Sequence, residues 1–222
     1  MASYRNIDEA NRRISELETR LAESARELRL MKLRRQPTPH FLFNILAVAA
    51  SLIMQSPATA VKFLGHLSRI YRYLLDCGDG YWVPVEKEMD FMRQYYALMC
   101  YRYVDCLRLE VTPRAARLRS HPLPPLCLQG LMENAIKHNV HTEDRPLRIT
   151  VDSDGKFIWV SNPVAPAGAG EEGTHRGLAY MDESMRVLFG RGIEVDDSGG
   201  MFTVRIPLID PSAVEGKKTV MP

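Results

Sequence analysis

A seven-residue repeat of apolar side chains occupies the start of this chain and restricts how it can fold. The repeat consists of Ile7, Ala10, Ile14, Leu17, Leu21, Ser24, Leu28 and Met31, with Ser24 as its only polar member. A mean spacing of about 3.5 residues is typical of coiled coils, in which two helices bury a narrow apolar stripe between them. The alternative is a single amphipathic helix that lies on the body of its own chain. Because the remaining positions are densely charged, we favour a parallel dimeric coiled coil over residues 1–36.

Two prolines, Pro37 and Pro39, separate the coiled-coil segment from the next predicted helix. Thr38 is a suitable N-cap, and Pro39 is favourable at the first helical position. Two amphipathic helices then follow on either side of the turn Gln55-Ser56-Pro57. Their apolar stripes are Leu42, Leu46, Ala49 and Ile53 in the first helix, and Phe63, Leu67, Ile70, Tyr71 and Leu74 in the second. A lone hairpin cannot bury both stripes, so residues 37–83 are predicted to form a four-helix bundle with a second copy.

From residue 84 onward, helical patterns alternate with short strand patterns. The predicted helices are 84–103, 126–139 and 177–189, and the predicted strands are 107–111, 147–152, 156–161, 193–195 and 202–206. Asp154-Gly155 and Ser198-Gly199-Gly200 are suitable turns for two hairpins. This mixture predicts an α+β sandwich domain over residues 84–210, followed by a loose tail over residues 211–222. A chain of 222 residues with 45% apolar content is long enough to bury these cores.

The charge and the cysteine content argue against several classes of protein. A net charge of +2 is too small to indicate nucleic acid binding, and no helix-turn-helix with a basic face is evident. The four cysteines lack metal-site spacing, which favours reduced thiols in a cytosolic protein over a pairing. No signal peptide opens the chain. The longest apolar run, 41–54, is interrupted by Asn44 and too short to span a bilayer, so we expect a soluble chain.

The predicted helix at residues 126–139 has an unusual polar face. At about 100° per residue, its apolar side chains share one arc, made of Leu128, Leu131, Met132, Ala135 and Ile136. The opposite arc holds Gln129, Gly130, Glu133, Asn134, Lys137 and His138. Carboxylate, amide, amine and imidazole groups together can bind Mg²⁺ and phosphates. The alternative is an ordinary solvated face, although such faces favour long charged residues over glycine and an Asn/His pair.

A glycine-rich loop, GAGEEGTHRGL, precedes the last predicted helix. It contains Gly168, Gly170, Gly173 and Gly177. Glycines allow backbone N–H groups to approach an anion, and the start of the following helix adds a partial positive charge. A flexible linker is the alternative interpretation of the loop by itself. The loop and the polar-faced helix together favour a phosphate site.

A histidine, His40, lies between the prolines and three large apolar residues in the segment QPTPHFLFN. Near a helix start, a histidine is most often structural or simply exposed. An ordinary histidine is largely neutral at pH 7, so one ring nitrogen keeps the lone pair that a phosphoryl acceptor needs. His40 lies about one residue away from the Leu42/Leu46 stripe, so we expect it to flank the bundle without being buried in it.

Three segments resemble the LytS/YehU-type sensor histidine kinases. They are PHFLFN at residues 39–44, LPPLCLQGLMENAIKHN at residues 123–139, and GLAYMDESMRVLFGRGIEVDDSGGMFTVRIPL at the end of the predicted sandwich. The resemblance extends over about residues 33–208, and the order and separation of its first two motifs are highly specific. It implies a dimeric two-component sensor with a GHKL (Bergerat) α/β sandwich that binds ATP.

The resemblance also implies a role for each candidate residue. His40 would be the autophosphorylated histidine. Asn134 would bind Mg²⁺ and the nucleotide phosphates, and Glu133 would handle a proton or orient a water molecule. Lys137 and His138 share that face as further ATP-binding residues. The other ATP-binding positions that it implies are Asn162, Gly173, His175, Arg176, Gly177 and Leu178.

The sequence departs from the family pattern at three places. Asn162 and Pro163 stand where the family has an acidic residue and a glycine, so the adenine amine would meet an uncharged acceptor. His175 replaces the first glycine of the usual Gly-x-Gly-Leu lid, and Gly130 replaces a proline in the polar-faced helix. Two interpretations stay open: either these changes weaken ATP binding, or the basic pair His175 and Arg176 compensates by contacting phosphate directly.

The function implied by the resemblance is that of a protein histidine kinase. Such a kinase uses ATP and Mg²⁺, works as a homodimer and passes its phosphate to an aspartate of a response regulator. It would lie at the cytoplasmic side of the cell membrane, below a membrane sensor segment that is absent from this chain. Two alternatives stay open. One is a pseudokinase-like dimeric signalling module with weak or no ATP binding, and the other is an ATPase of the same fold that does not phosphorylate itself.

Overall fold

The computed structural model describes residues 39–77, 81–165 and 175–214, all of which belong to one compact unit over residues 37–222. The side chains of residues 39–44 and 175–176 fall outside this description. The coiled coil predicted for residues 1–36 and the predicted N-cap Thr38 also lie outside the described residues, so both stay predictions.

The described chain begins with a helical hairpin, α1 (Pro39–Gln55) and α2 (Pro57–Asp76). Each helix starts with a proline. Proline is favourable there because it lacks an N–H, and an N–H at the first helical position would have no partner within the helix. Ser56 makes the sharp connection, because its N–H donates to the Leu52 carbonyl at 2.8 Å and its carbonyl accepts from the Ala60 N–H at 2.9 Å. The two helices pack against each other as the sequence predicts.

The buried face of α1 differs from the predicted stripe. Ile45 and Ala49 are buried, whereas Leu46 and Ile53 are 50% and 51% exposed. The single chain thus leaves Leu46 and Ile53 of the predicted stripe uncovered, and their burial against a second copy stays a prediction. The physical reason is that α1 packs mainly on α2, and one neighbouring helix covers only one side of it.

The second helix of the hairpin packs on α3 (Val85–Arg102). The Phe63 ring meets the Tyr101 ring edge-on at a centroid distance of 5.3 Å, and the Tyr73 ring stacks on Phe91 at 4.3 Å. Phe63 is buried as predicted, together with Leu67 and Ile70; Tyr73 is also buried, although it was not on the predicted stripe. On its other side α3 packs against α5 (Cys127–His138). It therefore lies between the hairpin and the rest of the unit.

A five-stranded mixed sheet forms the centre of the remaining chain. Its strands are β2 (Leu107–Val111), β4 (Leu147–Ser153), β5 (Phe157–Pro163), β6 (Glu194–Asp196) and β7 (Met201–Pro207). The spatial order is β2-β4-β5-β7-β6, with β2 parallel to β4 and the other neighbours antiparallel. Two further short strands, β1 (Val83–Pro84) and β3 (Pro122–Leu123), pair with each other just before α3 and α5.

Helices and strands share one apolar core. The one-turn helix α4 (Pro113–Ala116) follows β2, and α6 (His175–Phe189) precedes β6. The sheet contributes Leu107, Ile149, Val151, Ile158, Val160, Val204 and Ile206, and the helices contribute Leu128, Leu131, Met132, Met181 and Met185. Helices followed by a mixed sheet domain are the predicted α+β class, which is confirmed.

Both predicted hairpin turns are present. Gly155 adopts a left-handed φ of 84°, and the Asp154 carboxylate accepts the N–H groups of Lys156 and Phe157 at 2.8 and 2.7 Å. Gly199 and Gly200 have φ values of 64° and 74° between β6 and β7. Side chains other than glycine rarely adopt such angles, which explains why the chain turns at these positions.

The chain after β7 continues into a short ordered segment. Pro211–Val214 form a 3₁₀ helix and Val214 is buried, although the sequence predicts a loose tail from residue 211. An apolar side chain that reaches the core gives this segment a reason to be ordered. In the part of the chain that the structure describes, no helix is both long and apolar enough to cross a membrane.

Candidate functional site

The candidate site is built on α5, whose two long faces differ as predicted. The predicted apolar arc is buried, and Glu133 and Lys137 are exposed on the opposite side. Asn134 and His138 are half-buried between the two faces. This arrangement leaves a carboxylate, an amide, an amine and an imidazole along one side of a helix that is fixed by its core contacts.

Gln129 departs from the predicted pattern because it is buried at the first turn of α5. Its Nε2 donates to Oε2 of Glu133 at 2.7 Å. Burial raises the pKa of Tyr95 on α3, and the nearby Glu133 charge raises it further. A hydrogen bond with Gln129 opposes this shift. One oxygen of Glu133 is therefore held by its own helix, which orients the carboxylate.

The start of α5 is held by Glu88, a residue that the sequence analysis did not single out. Glu88 lies on α3 and is 0% exposed. Its Oε1 accepts the Leu126 N–H at 2.7 Å, and its Oε2 accepts the Leu128 N–H at 3.0 Å. A signal was present, since Glu88 lies one helical turn before Met92 and two turns before Tyr95, on a side of α3 that is otherwise apolar. A polar residue on such a face needs a buried partner.

The end of α5 is held by Asn139, which is also buried. Its Nδ2 donates to the Ala135 carbonyl at 2.9 Å, and its Oδ1 accepts the Ala165 N–H at 2.7 Å. The Ala165 carbonyl in turn accepts the Val140 N–H at 2.8 Å. Asn139 therefore joins the polar-faced helix to the segment that follows β5. The motif that contains it was recognised in the sequence, but this bridging role was not.

Asn162, the residue at the position of the usual acid, lies on β5 and is buried. Its Nδ2 donates to the Pro163 carbonyl at 2.9 Å. The amide nitrogen is thus already engaged, and Oδ1 is the atom left to accept a hydrogen bond. An uncharged acceptor of this kind suits the exocyclic amine of an adenine. The Asn139 bridge brings this end of β5 to the end of α5.

The remaining predicted site residues are placed only in part. Gly173 lies outside the described residues. Helix α6 begins at His175, two residues before the predicted start, with Gly177 buried and Leu178 half-buried on it. Of His175 and Arg176, only the helical backbone is described. His40 is the second residue of α1, and its side chain likewise lies outside the description.

The donor set suits a nucleotide with its magnesium ion. The described residues include no group of three His, Cys, Asp or Glu side chains that would hold a metal by themselves. Mg²⁺ commonly takes one or two protein oxygens together with phosphate oxygens and water. The Asn134 amide offers such an oxygen beside the exposed Lys137, and the Asn162 Oδ1 offers an acceptor for a base. ATP with Mg²⁺ therefore fits the groups that are present.

Comparison with known proteins points in the same direction. A family model described as "Histidine kinase" matches residues 28–107, a segment that contains His40 and Glu88. Sensor protein kinase HptS of Staphylococcus aureus is 32% identical over 137 residues, in strains USA300 and NCTC 8325 alike. That match covers 61% of this chain and 26% of HptS, so the chain spans about a quarter of the length of the curated relatives it matches.

Solved structures of histidine kinases are similar at low identity. Histidine kinase AdeS of Acinetobacter baumannii is 14% identical with a TM-score of 0.39, covering 88% of this chain and 98% of that one. The cytoplasmic segment of histidine kinase QseC is 14% identical with a TM-score of 0.41, covering 60% and 80%.

Proposed function

We propose that this chain belongs to the sensor histidine kinase family and that it is the ATP-dependent transmitter part of a two-component sensor. The reaction would be autophosphorylation of His40, followed by transfer of the phosphoryl group to an aspartate of a response regulator. The observation that carries the proposal is the family match across His40, in a chain whose α5 presents Asn134 on a polar face.

Each candidate residue has a task that its position supports. Bound ATP would supply the phosphoryl group. Asn134 would offer an oxygen ligand to Mg²⁺, and Lys137 would balance phosphate charge from the next turn of α5. Glu133, oriented by Gln129, would handle a proton or hold a water molecule. The lone pair of a neutral His40 imidazole would accept the phosphoryl group.

Seven further residues would complete the nucleotide site. His138 shares the polar face of α5, and Asn162 would accept a hydrogen bond from the adenine amine. Gly173 and Gly177 would allow backbone N–H groups close to the phosphates. His175, Arg176 and Leu178 would form the adjoining start of α6, where the helix dipole favours an anion.

The decisive experiment for the kinase activity is labelling with γ-labelled ATP and Mg²⁺. We expect an acid-labile label on the wild-type chain that His40→Gln abolishes. His66→Gln is the matched control, because His66 lies on the same hairpin with its Nδ1 2.8 Å from Oε1 of Gln94. Label that persists in His40→Gln would refute His40 as the acceptor. Phosphate release that is indifferent to His40→Ala would instead favour an ATPase.

The proposed assembly is a homodimer in which two hairpins form a four-helix bundle. Among the described side chains of the hairpin, six large apolar ones are exposed in the single chain: Leu46, Ile53, Met54, Val61, Leu64 and Leu75. Apolar side chains gathered on two adjacent helices are typical of an interface. A response regulator and a membrane-embedded sensor upstream of this chain would be the other partners, and the chain would then lie at the cytoplasmic side of the cell membrane.

The pseudokinase-like module is the second candidate function. It is favoured by Asn162 and Pro163 in place of the usual acid and glycine, because an uncharged acceptor binds the adenine amine more weakly. Ligand that binds the folded state raises the unfolding temperature. A thermal unfolding midpoint unchanged by excess ATP and Mg²⁺ would support this alternative, whereas a clear increase would exclude it.

A further inference from the structure

Glu88 collects hydrogen bonds from two different elements. The Tyr73 hydroxyl donates to its Oε1 from α2. The Leu126 and Leu128 N–H groups donate to it from the start of α5, and the Cys127 Sγ lies 3.4 Å from Oε2. Glu88 itself belongs to α3. One buried carboxyl group therefore joins the hairpin, the helix between, and the helix of the proposed nucleotide site.

The backbone at this junction is strained. Leu126 has a φ of 64°, in the left-handed region that a leucine rarely adopts. Such strain persists only where the surroundings impose it, and it concentrates at functional sites. The N–H of Leu126 and that of Leu128, the second residue of α5, converge on the two oxygens of Glu88. The carboxyl group thus fixes the turn from which α5 departs, and with it the direction of the face that carries Asn134.

Tyr73 connects this junction to the hairpin. Its ring stacks on Phe91 of α3 at 4.3 Å with an interplanar angle of 29°, and its hydroxyl reaches Glu88. The ring therefore supplies packing, and the hydroxyl supplies the bond to the carboxyl group. A shift of α2 along α3 moves that hydroxyl relative to Oε1, the same oxygen that accepts the Leu126 N–H.

We propose that Tyr73 and Glu88 couple the helical hairpin to α5, so that a movement of α2 changes how firmly the start of α5 is held. Both are positioning residues. The coupling stands on the contacts of the buried carboxyl group. Only its consequence for ATP rests on the proposed function, in which α5 carries the nucleotide site.

Hydrogen exchange on the full chain tests the coupling without any nucleotide. Tyr73→Phe keeps the stacked ring and removes the hydroxyl. We expect the amides of Leu126 and Leu128 to exchange about fivefold faster, since the buried carboxyl group loses one of its donors.

Tyr96→Phe is the matched control, because the Tyr96 hydroxyl donates to the Leu107 carbonyl at 3.2 Å, away from the start of α5. This control should leave the start of α5 unchanged. Equal exchange at residues 126–128 in Tyr73→Phe and Tyr96→Phe would overturn the proposal.

Glu88→Gln provides the second variant, and ATP binding provides the second measurement. The amide keeps one acceptor oxygen, so one of the two backbone N–H groups loses its partner and its exchange should accelerate most. If ATP binds the wild type, we expect Tyr73→Phe to change its affinity severalfold and Tyr96→Phe to leave it unchanged. A wild type that binds no ATP would refute the proposed function, while the exchange comparison would still decide the coupling.

Discussion

At the scale of single residues, Glu88 stands out as a carboxyl group that is 0% exposed. Burial raises the pKa of its carboxyl group, and hydrogen bonds from Tyr73, Leu128, Leu126 and Cys127 oppose that effect without cancelling it. The pKa of Tyr73 and that of the Cys127 thiol are also raised by burial, so both groups remain protonated donors near neutral pH. A buried carboxyl group surrounded by neutral donors makes stability depend on pH.

The sign of this dependence follows from the raised pKa of Glu88. The contribution of the group to stability is complete below its unfolded pKa of about 4.3 and is lost as pH rises through the higher folded pKa. The glutamine side chain of Glu88→Gln does not titrate, so this variant does not lose stability in this way as pH rises. We therefore expect the deficit in unfolding free energy of Glu88→Gln to shrink between about pH 4 and about pH 8. Urea unfolding at both pH values measures it, and a deficit that grows with pH would contradict the prediction.

Asn139 provides a second test at the residue scale. Asn139→Ala removes the bonds to the Ala135 carbonyl and the Ala165 N–H. We expect a loss of about 2 kcal/mol in unfolding free energy, because two buried backbone groups lose their partners. Asn139→Asp, compared with Asn139→Ala at about pH 3 where the new carboxyl group is neutral, keeps the acceptor for Ala165 and should lose less. Equal losses in urea unfolding would show that the link to the segment after β5 contributes nothing.

At the scale of elements, the sequence predicted which segments become helices and strands more reliably than which faces they bury. Helices α2 and α5 follow from the spacing of their apolar side chains, and the hairpin strands follow from apolar alternation. Gly155 marks the turn between β4 and β5. The sequence could not predict which apolar side chains of α1 are buried in the single chain. Ile45 and Leu46 are both apolar, and only the position of the neighbouring helix decides between them. The burial of Glu88 had a local signal, but its partners Leu126 and Leu128 could not be predicted, because they lie 38 and 40 residues away.

The exposed stripe of α1 gives a prediction at the element scale. If Leu46 and Ile53 face a second copy, Leu46→Glu should weaken the homodimer at least tenfold, since a charge would be buried in an apolar bundle. Val195→Glu is the matched control, because Val195 on β6 is also 50% exposed. Sedimentation equilibrium measures both variants. A dimer of unchanged strength in Leu46→Glu would show that this stripe is not the interface.

At the scale of the whole molecule, the hairpin and the sheet domain share one core. Phe63 and Tyr73 of α2 contact Tyr101 and Phe91 of α3, and α3 also packs on α5. The sequence predicted a hairpin at residues 37–83 and a sandwich at residues 84–210, and these boundaries stay a prediction. The packing between them could not be predicted, because both sides of α3 are apolar and the pattern does not say what covers each side.

A shared core predicts that hairpin and sheet unfold together. Helical circular dichroism reports on all helices, including α1 and α2. In a Trp82→Phe background the remaining tryptophan, Trp159, reports on β5. We expect the two signals to give one urea midpoint, and Phe63→Ala to lower both by the same amount, with a loss of about 3 kcal/mol. Two separate midpoints, or a shift of the dichroism midpoint alone, would show that the hairpin unfolds independently.

The account as a whole depends on α5 being part of an ATP site. Isothermal titration calorimetry with ATP and Mg²⁺, on the wild type and on Asn134→Ala, tests this most directly. We expect one binding event per chain in the wild type and an affinity at least tenfold weaker in Asn134→Ala, at unchanged unfolding free energy, because the variant removes the oxygen assigned to Mg²⁺. A wild type that releases no binding heat at several temperatures, or an Asn134→Ala variant with wild-type affinity, would contradict the account.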